Sequence, residues 1–331
     1  MEATMKKTSV LSLTAAFLAL MCSVASPAEI AGKAYLFAHM TKEDYGRLYY
    51  SVSTDGRRWT VLNGGKRIFD NYRGHPDICK GHDGRFYLIG NYERRREISL
   101  WVSDDLVKWQ AFGDFSPDIY KTHGFKPAID YKGAPKIFYD EVSSRYLVTW
   151  HSTILPPSKE DTEQFWRGMR TLYVTSKDLK KFTHPKRLFE FEIATIDTIV
   201  RKEGKRYCAF IKDEKYPDFD WPTGKTIRIC TSENLLGPYT EPSPPITGNF
   251  YEAPALIARP DDKGWYLYCE QYPAVSYGLL TAPTLAGPWH GVYWQDYNLP
   301  KNARHGCMIQ ITPKQLNVIL AAYGEQRATD L

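Results

Sequence analysis

The stretch ISLWVSDDLVKW, Ile98–Trp109, decides the fold because the chain repeats it. It reads as an apolar strand that runs into a short polar turn and ends on an aromatic. LYYSVSTDGRRW from Leu48 and RTLYVTSKDLKKF from Arg170 have the same form, and IRICTSENLLGPY from Ile227 and YGLLTAPTLAGPW from Tyr277 complete the set. An aromatic-rich strand precedes each: KAYLFAHM, GRFYLIGNY, SRYLVTWHS, KRYCAFIKDE and GWYLYCEQY. Five strand pairs spaced by roughly fifty to seventy residues match the period of propeller blades with about four strands each. The fold expected is all-β, a five-bladed β-propeller.

Four of the pairs follow a further short strand: HPDICKG from His75, APKIFYD from Ala134, IDTIVRK from Ile196 and EAPALIA from Glu252. The first pair has none before it, and the missing partner lies at the other end of the chain as RHGCMIQIT from Arg304. Pairing of N- and C-terminal strands would therefore close the ring and remove the free edges of an open array.

Residues 1–28 have the layout of an export signal, with Lys6-Lys7, an apolar run from Val10 to Met21 and small residues at Ser26 and Ala28. That run is too short for a spanning helix, so a cleaved leader and a secreted or periplasmic product are expected, with no stable membrane insertion. A lipoprotein reading through Cys22 is poor because Met21 is bulky. Residues 29–331 are then one propeller domain. The 43 basic and 38 acidic residues are interspersed, unlike the one-sided basic stripe of a nucleic-acid binder. Five cysteines remain after the leader, without a CxxC spacing. An odd set of that kind argues against a disulfide framework or a zinc site, and Cys208 with Cys230 is the pair to check.

The first strand of each blade lines the central channel, so its leading residues converge at one end of the axis. Those positions hold His75 or Asp77, Lys136, Asp197, Glu252 and Arg304-His305. Carboxylates facing one another from different blades suit glycoside hydrolysis, in which one group donates a proton and another activates water. Trp150, Trp166, Trp221, Phe250, Tyr251 and Tyr272 offer flat apolar faces for a sugar. An oligosaccharide or polysaccharide is the expected partner.

The order of HPDI, APKIFYDE, IDTIVRKEGKRYCAFIKDE, YEAPALI and RHGCMIQIT resembles the family 43 glycoside hydrolases over nearly the whole mature chain. SDDLVKW, TSKDLKKF and APTLAGPW resemble the blade turns of that family. The resemblance implies an inverting enzyme on arabinofuranosides, xylosides or galactans, and a one-ended pocket in a single propeller favours exo action that releases terminal sugars. The resemblance implies Asp197 as the tuning carboxylate and Glu252 as the acid, with Ala253 where glycine is usual. It also implies His305 as a channel histidine that contacts water or a cation such as calcium; no cofactor is otherwise expected.

Two positions depart from the family pattern. His75-Pro76-Asp77 stands where Asp-Pro is usual, so the base is His75 or Asp77. Lys136 replaces a usual acid, which would favour an acidic sugar. A catalytically silent sugar-binding propeller and a propeller glycosidase using histidine as its acid or base are the alternatives.

Overall fold

The computed structural model describes residues 32–91, 96–219 and 222–324. The leader, Arg94, Arg95 and Trp221 lie outside them. Strands β1 (Ala34–Thr41), β2 (Tyr49–Ser53) and β3 (Thr60–Val61) belong to the first blade. The second holds β4 (Asp77–Lys80), β5 (Phe86–Asn91), β6 (Ile98–Ser103) and β7 (Gln110–Phe115). The third holds β8 (Gly133–Asp140), β9 (Arg145–Thr153), β10 (Met169–Ser176) and β11 (Lys186–Arg187), with helix α1 (Gln164–Arg167) between β9 and β10. The fourth is β12 (Thr195–Glu203), β13 (Arg206–Asp213) and β14 (Ile227–Ser232). The fifth is β15 (Tyr251–Ala258), β16 (Trp265–Gln271), β17 (Ser276–Ala282) and β18 (His290–Gly291). Last come β19 (Ala303–Ile311) and helix α2 (Pro313–Tyr323).

Each blade is an antiparallel sheet, and the first runs in the order β19-β1-β2-β3. Ala34 pairs with Ile311 and Ala38 with Cys307, so the C-terminal strand closes the blade that the N-terminal strand begins. The inner strands contact one another around the axis as β19, β4, β8, β12, β15 and back to β19. Between neighbouring sheets lie buried aromatic and aliphatic side chains, such as Tyr87, Val148 and Trp150 between the second and third blades. Neighbouring sheets cover both faces of these strands, so β5, β6 and β10 are buried along their whole length.

The repeated Ser-x-Asp turn has one physical role in three blades. Asp55, Asp105 and Asp178 each accept two backbone N–H bonds across the turn, all at 2.7–2.9 Å. The preceding Ser53, Ser103 and Ser176 accept from the backbone of Gly56, Leu106 and Leu179. These three residues have positive φ. Local side-chain acceptors thus replace the ladder bonds that end at each turn. The cysteine pair does not bridge. Cys208 faces Thr231 and Cys230 faces Ala209, one register apart, and both thiols are free.

The inner strands are interrupted where the chemistry sits. β8, β12 and β15 shift register after Gly133, Ile196 and Glu252. Ala134, Asp197 and Ala253 there adopt positive φ of 42°, 50° and 49°. In β19 the extra residue is His305, between Arg304 opposite Met40 and Gly306 opposite His39. A bulge re-aims the side chain it carries, which is how charged groups turn into the channel from strands that are otherwise core.

Candidate active site

At this end of the axis a cavity of about 400 Å³ is lined from all five blades. The first supplies Tyr45, Arg304 and His305, the second His75, and the third Tyr131, His151, Glu163 and Trp166. The fourth supplies Asp197, Lys212, Glu214 and Lys225, and the fifth Glu252 and Tyr272.

Its floor is a chain of alternating charges. Lys225 donates to Glu163 at 2.7 Å and also bonds Glu214. Lys212 joins Glu214 to Glu252, 2.8 Å from each. The other oxygen of Glu252 lies 3.3 Å from both Arg304 Nη2 and His305 Nε2. Arg304 and His305 Nδ1 then meet Glu270, the latter at 3.1 Å, and the His305 backbone N–H donates to the same carboxylate at 2.9 Å. Four carboxylates thus face three permanent cations, and a protonated His305 completes the balance.

The proton equilibria follow from that arrangement. Burial alone would favour neutral Glu252, but the charges of His305, Lys212 and Arg304 outweigh it and hold the carboxyl below its ordinary value. Burial likewise opposes charge on His305, yet Glu252 and Glu270 raise its pKa above that of an ordinary histidine. In that arrangement the proton favours His305 and Glu252 stays ionised.

Of the other sequence candidates, His75, Asp197, Trp166 and His305 reach the cavity. His75 Nε2 is 2.9 Å from the Tyr45 hydroxyl, and its ring centroid lies 4.3 Å from that of His305. Asp197 accepts from the Ala253 N–H at 3.1 Å, which fixes the backbone beside Glu252. Asp77 does not line the cavity. It is buried and accepts from the Ile137 N–H at 2.7 Å, tying blade two to blade three. Lys136 also lies outside, in a narrow cleft with Thr149 and Arg201, so it is not placed to meet an acidic sugar. Trp150 is core, with its indole N–H bonded to Ser152. Tyr251 packs into the core cluster around Leu256 and Leu280, with its ring against Gly278. Trp221 is not among the described residues, and Phe250 meets the site through an edge contact with Tyr272.

The sequence reading missed His151, Lys212 and Glu270. They occupy one position in three blades, opposite Gly133, Ile196 and Glu252 on the second strand. The signal was a polar residue near the end of each aromatic strand, in TWHS, FIKDE and YCEQY.

Ligand atoms of Glu252, Glu270 and His305 lie within 4.8 Å of one another, the grouping a cation would use. Lys212 and Arg304 already neutralise these carboxylates. A divalent ion would have to displace two fixed cations, so this donor set does not fit a resident metal. Among the described residues no helix is long and apolar enough to cross a membrane.

An α-L-arabinofuranosidase of Bifidobacterium longum is 29% identical over 191 residues, which are 50% of this chain and 18% of that protein. The chain therefore spans less than a fifth of the curated relative it matches. The α-L-arabinofuranosidase of Fusarium graminearum, solved with an iminosugar inhibitor, is similar with a TM-score of 0.50 and 11% identity, over 78% of this chain and 80% of that one. A thermostable family-43 glycoside hydrolase gives a TM-score of 0.49 and 18% identity, over 67% and 72%. At such identities the likeness is one of fold. Residues 31–317 match the family described as a probable glycosyl hydrolase domain, a relative of the family 43 enzymes, and the chain belongs to that family.

Proposed function

We propose that the protein is a secreted, exo-acting glycoside hydrolase that releases terminal sugars, arabinofuranosyl, xylosyl or galactosyl, from plant or algal polysaccharide fragments with inversion. The observation that carries this reading is the Glu252–His305 pair, a buried carboxylate and imidazole 3.3 Å apart at the wall of an axial pocket, across which a proton can pass. Transfer of that proton to the leaving oxygen is the acid step. His75 and His305 stand too close to straddle a sugar ring with a water between. Donation therefore passes through Glu252, and His75 takes the base role on water. Asp197 acts as a positioning residue through the Ala253 N–H. Trp166 and Tyr272 wall the pocket, and a pocket of this size suits a terminal unit better than the middle of a chain.

A second reading is a silent sugar-binding propeller. The ion pair between Lys212 and Glu252 favours it, because a carboxylate held ionised is a poor proton donor.

The test is hydrolysis of aryl-glycosides and plant or algal oligosaccharides, followed by chromatography, with Glu252→Gln as control. Release of one monosaccharide that disappears in the variant supports the enzyme and names its sugar. Binding without turnover across the panel replaces it with the silent propeller.

A further inference from the structure

The connection over 154–168 puts Glu163 and Trp166 into the axial pocket, while the residues that flank and follow it help to line a second cavity of about 650 Å³. Ile154 and Arg170 stand in that second wall, beside Arg187, Glu192 and Lys126.

Two arginines there hold one carboxylate. Arg170 Nη2 donates to one oxygen of Glu192 at 2.9 Å and Arg187 Nη2 to the other at 3.0 Å. Both guanidiniums are fixed from behind. Arg170 Nη1 donates to the Met169 carbonyl at 2.8 Å and the Arg167 carbonyl at 3.2 Å, and Arg187 also donates to the Phe191 carbonyl at 3.1 Å. The arginine side chains are 11% and 21% exposed, but that of Glu192 is 69% exposed. The clamp is thus part of the wall, whereas the acid it holds is a surface group that water can solvate readily once it swings out.

Charge points the same way. Arg170, Arg187 and Lys126 face a single acid, Glu192, among the described residues lining the cavity. With Glu192 turned away, a positive wall remains beside the exposed ring of Tyr120. Two guanidinium N–H donors, one aimed at each oxygen, suit a carboxylate, and the aromatic face suits a sugar ring.

We propose that this cavity binds the carboxylate of an acidic sugar unit, and that Glu192 is a built-in stand-in which the ligand displaces. The choice of a sugar rests on the glycosidase reading; the choice of a carboxylate rests on the clamp. Where an acidic unit sits on the same glycan as the terminal sugar, the site would select acid-substituted substrates.

Isothermal titration with a uronate trisaccharide and its carboxyl-reduced counterpart tests the site in wild type, Arg187→Ala and Glu192→Gln. The uronate should bind about tenfold tighter than the reduced sugar. Arg187→Ala should abolish that preference, and Glu192→Gln should strengthen uronate binding about threefold by weakening the competitor. Equal affinity, no binding of either sugar, a preference that survives Arg187→Ala, or weaker binding in Glu192→Gln overturns the proposal. If Arg187→Ala fails to fold, the Glu192→Gln arm decides alone. Hydrolysis of neutral aryl-glycosides is read separately. Its absence there and across acid-substituted oligosaccharides, beside an intact uronate preference, would remove the glycosidase reading and leave this site standing.

Discussion

Lys212 and Glu252 meet at 2.8 Å across the boundary between the fourth and fifth blades, both buried. The ammonium also lies 4.5 Å from the centre of the Tyr272 ring. This contact sets the state in which the pocket receives its ligand, because it holds Glu252 ionised while the proton rests with His305.

Lys212→Met should therefore raise the pKa of Glu252 and, with Glu252 as proton donor, move the alkaline limb of the activity profile to higher pH. It also leaves Glu214 and Glu252 without their shared cation, at a cost of about 3 kcal/mol. Thermal unfolding and a pH–rate profile on one preparation check both; an unmoved alkaline limb would show that Lys212 does not control Glu252.

His305 gives a stability that depends on pH. Its folded pKa lies above the ordinary value, so the folded state binds the proton more tightly than the unfolded chain. The stabilisation is full below the unfolded pKa of about 6.5 and is lost as pH rises through the folded value. Denaturant midpoints should fall from pH 6 toward alkaline pH in wild type, and His305→Gln should flatten that fall. Glu252 has the opposite sign: its contribution is present above its unfolded pKa and is lost as pH falls through its lowered folded value.

Trp166 stands edge-on to Phe165, which in turn stands edge-on to Tyr131. Trp166→Ala should raise KM about tenfold, the loss of one good ring contact, with kcat nearly unchanged. Glu163→Gln, which weakens the tie from this connection to Lys225, should move KM in the same direction by less. A large fall in kcat in either variant would place these residues in the chemistry itself.

At the blade turns, Asp105 accepts two backbone N–H bonds and carries its charge at the surface. Asp105→Ala should cost about 2 kcal/mol, and Asp105→Asn should recover most of it. Urea unfolding of the two variants measures the difference, and equal losses would mean that the amide acceptor cannot replace the carboxylate.

The blades were readable in sequence because each copy keeps the form of an aromatic strand, a second apolar strand, a short turn and a closing aromatic, as ISLWVSDDLVKW does. Closure was readable because the first pair lacks an inner strand that RHGCMIQIT supplies. Depth was not readable. His75 and Asp77 were expected on one face by alternation, yet β4 begins only at Asp77, and that carboxylate is spent on the Ile137 N–H. Trp150 and Tyr251 were taken for sugar contacts because aromatic content does not tell an inter-blade ring from a pocket wall. Bulges hid the rest. The registers of Glu252 and Ile196 break where the chain turns its charges inward, so Lys212 and Glu270 looked like strand-end residues.

The β19–β1 seam places the last inner strand of the chain next to the first. Arg304 and His305 lie on that last strand, so the counter-charges on one side of Glu252 come from the far end of the chain and depend on the seam. A ribosome-bound chain that still lacks β19 carries Glu252, Lys212 and Glu214 with part of their compensation missing.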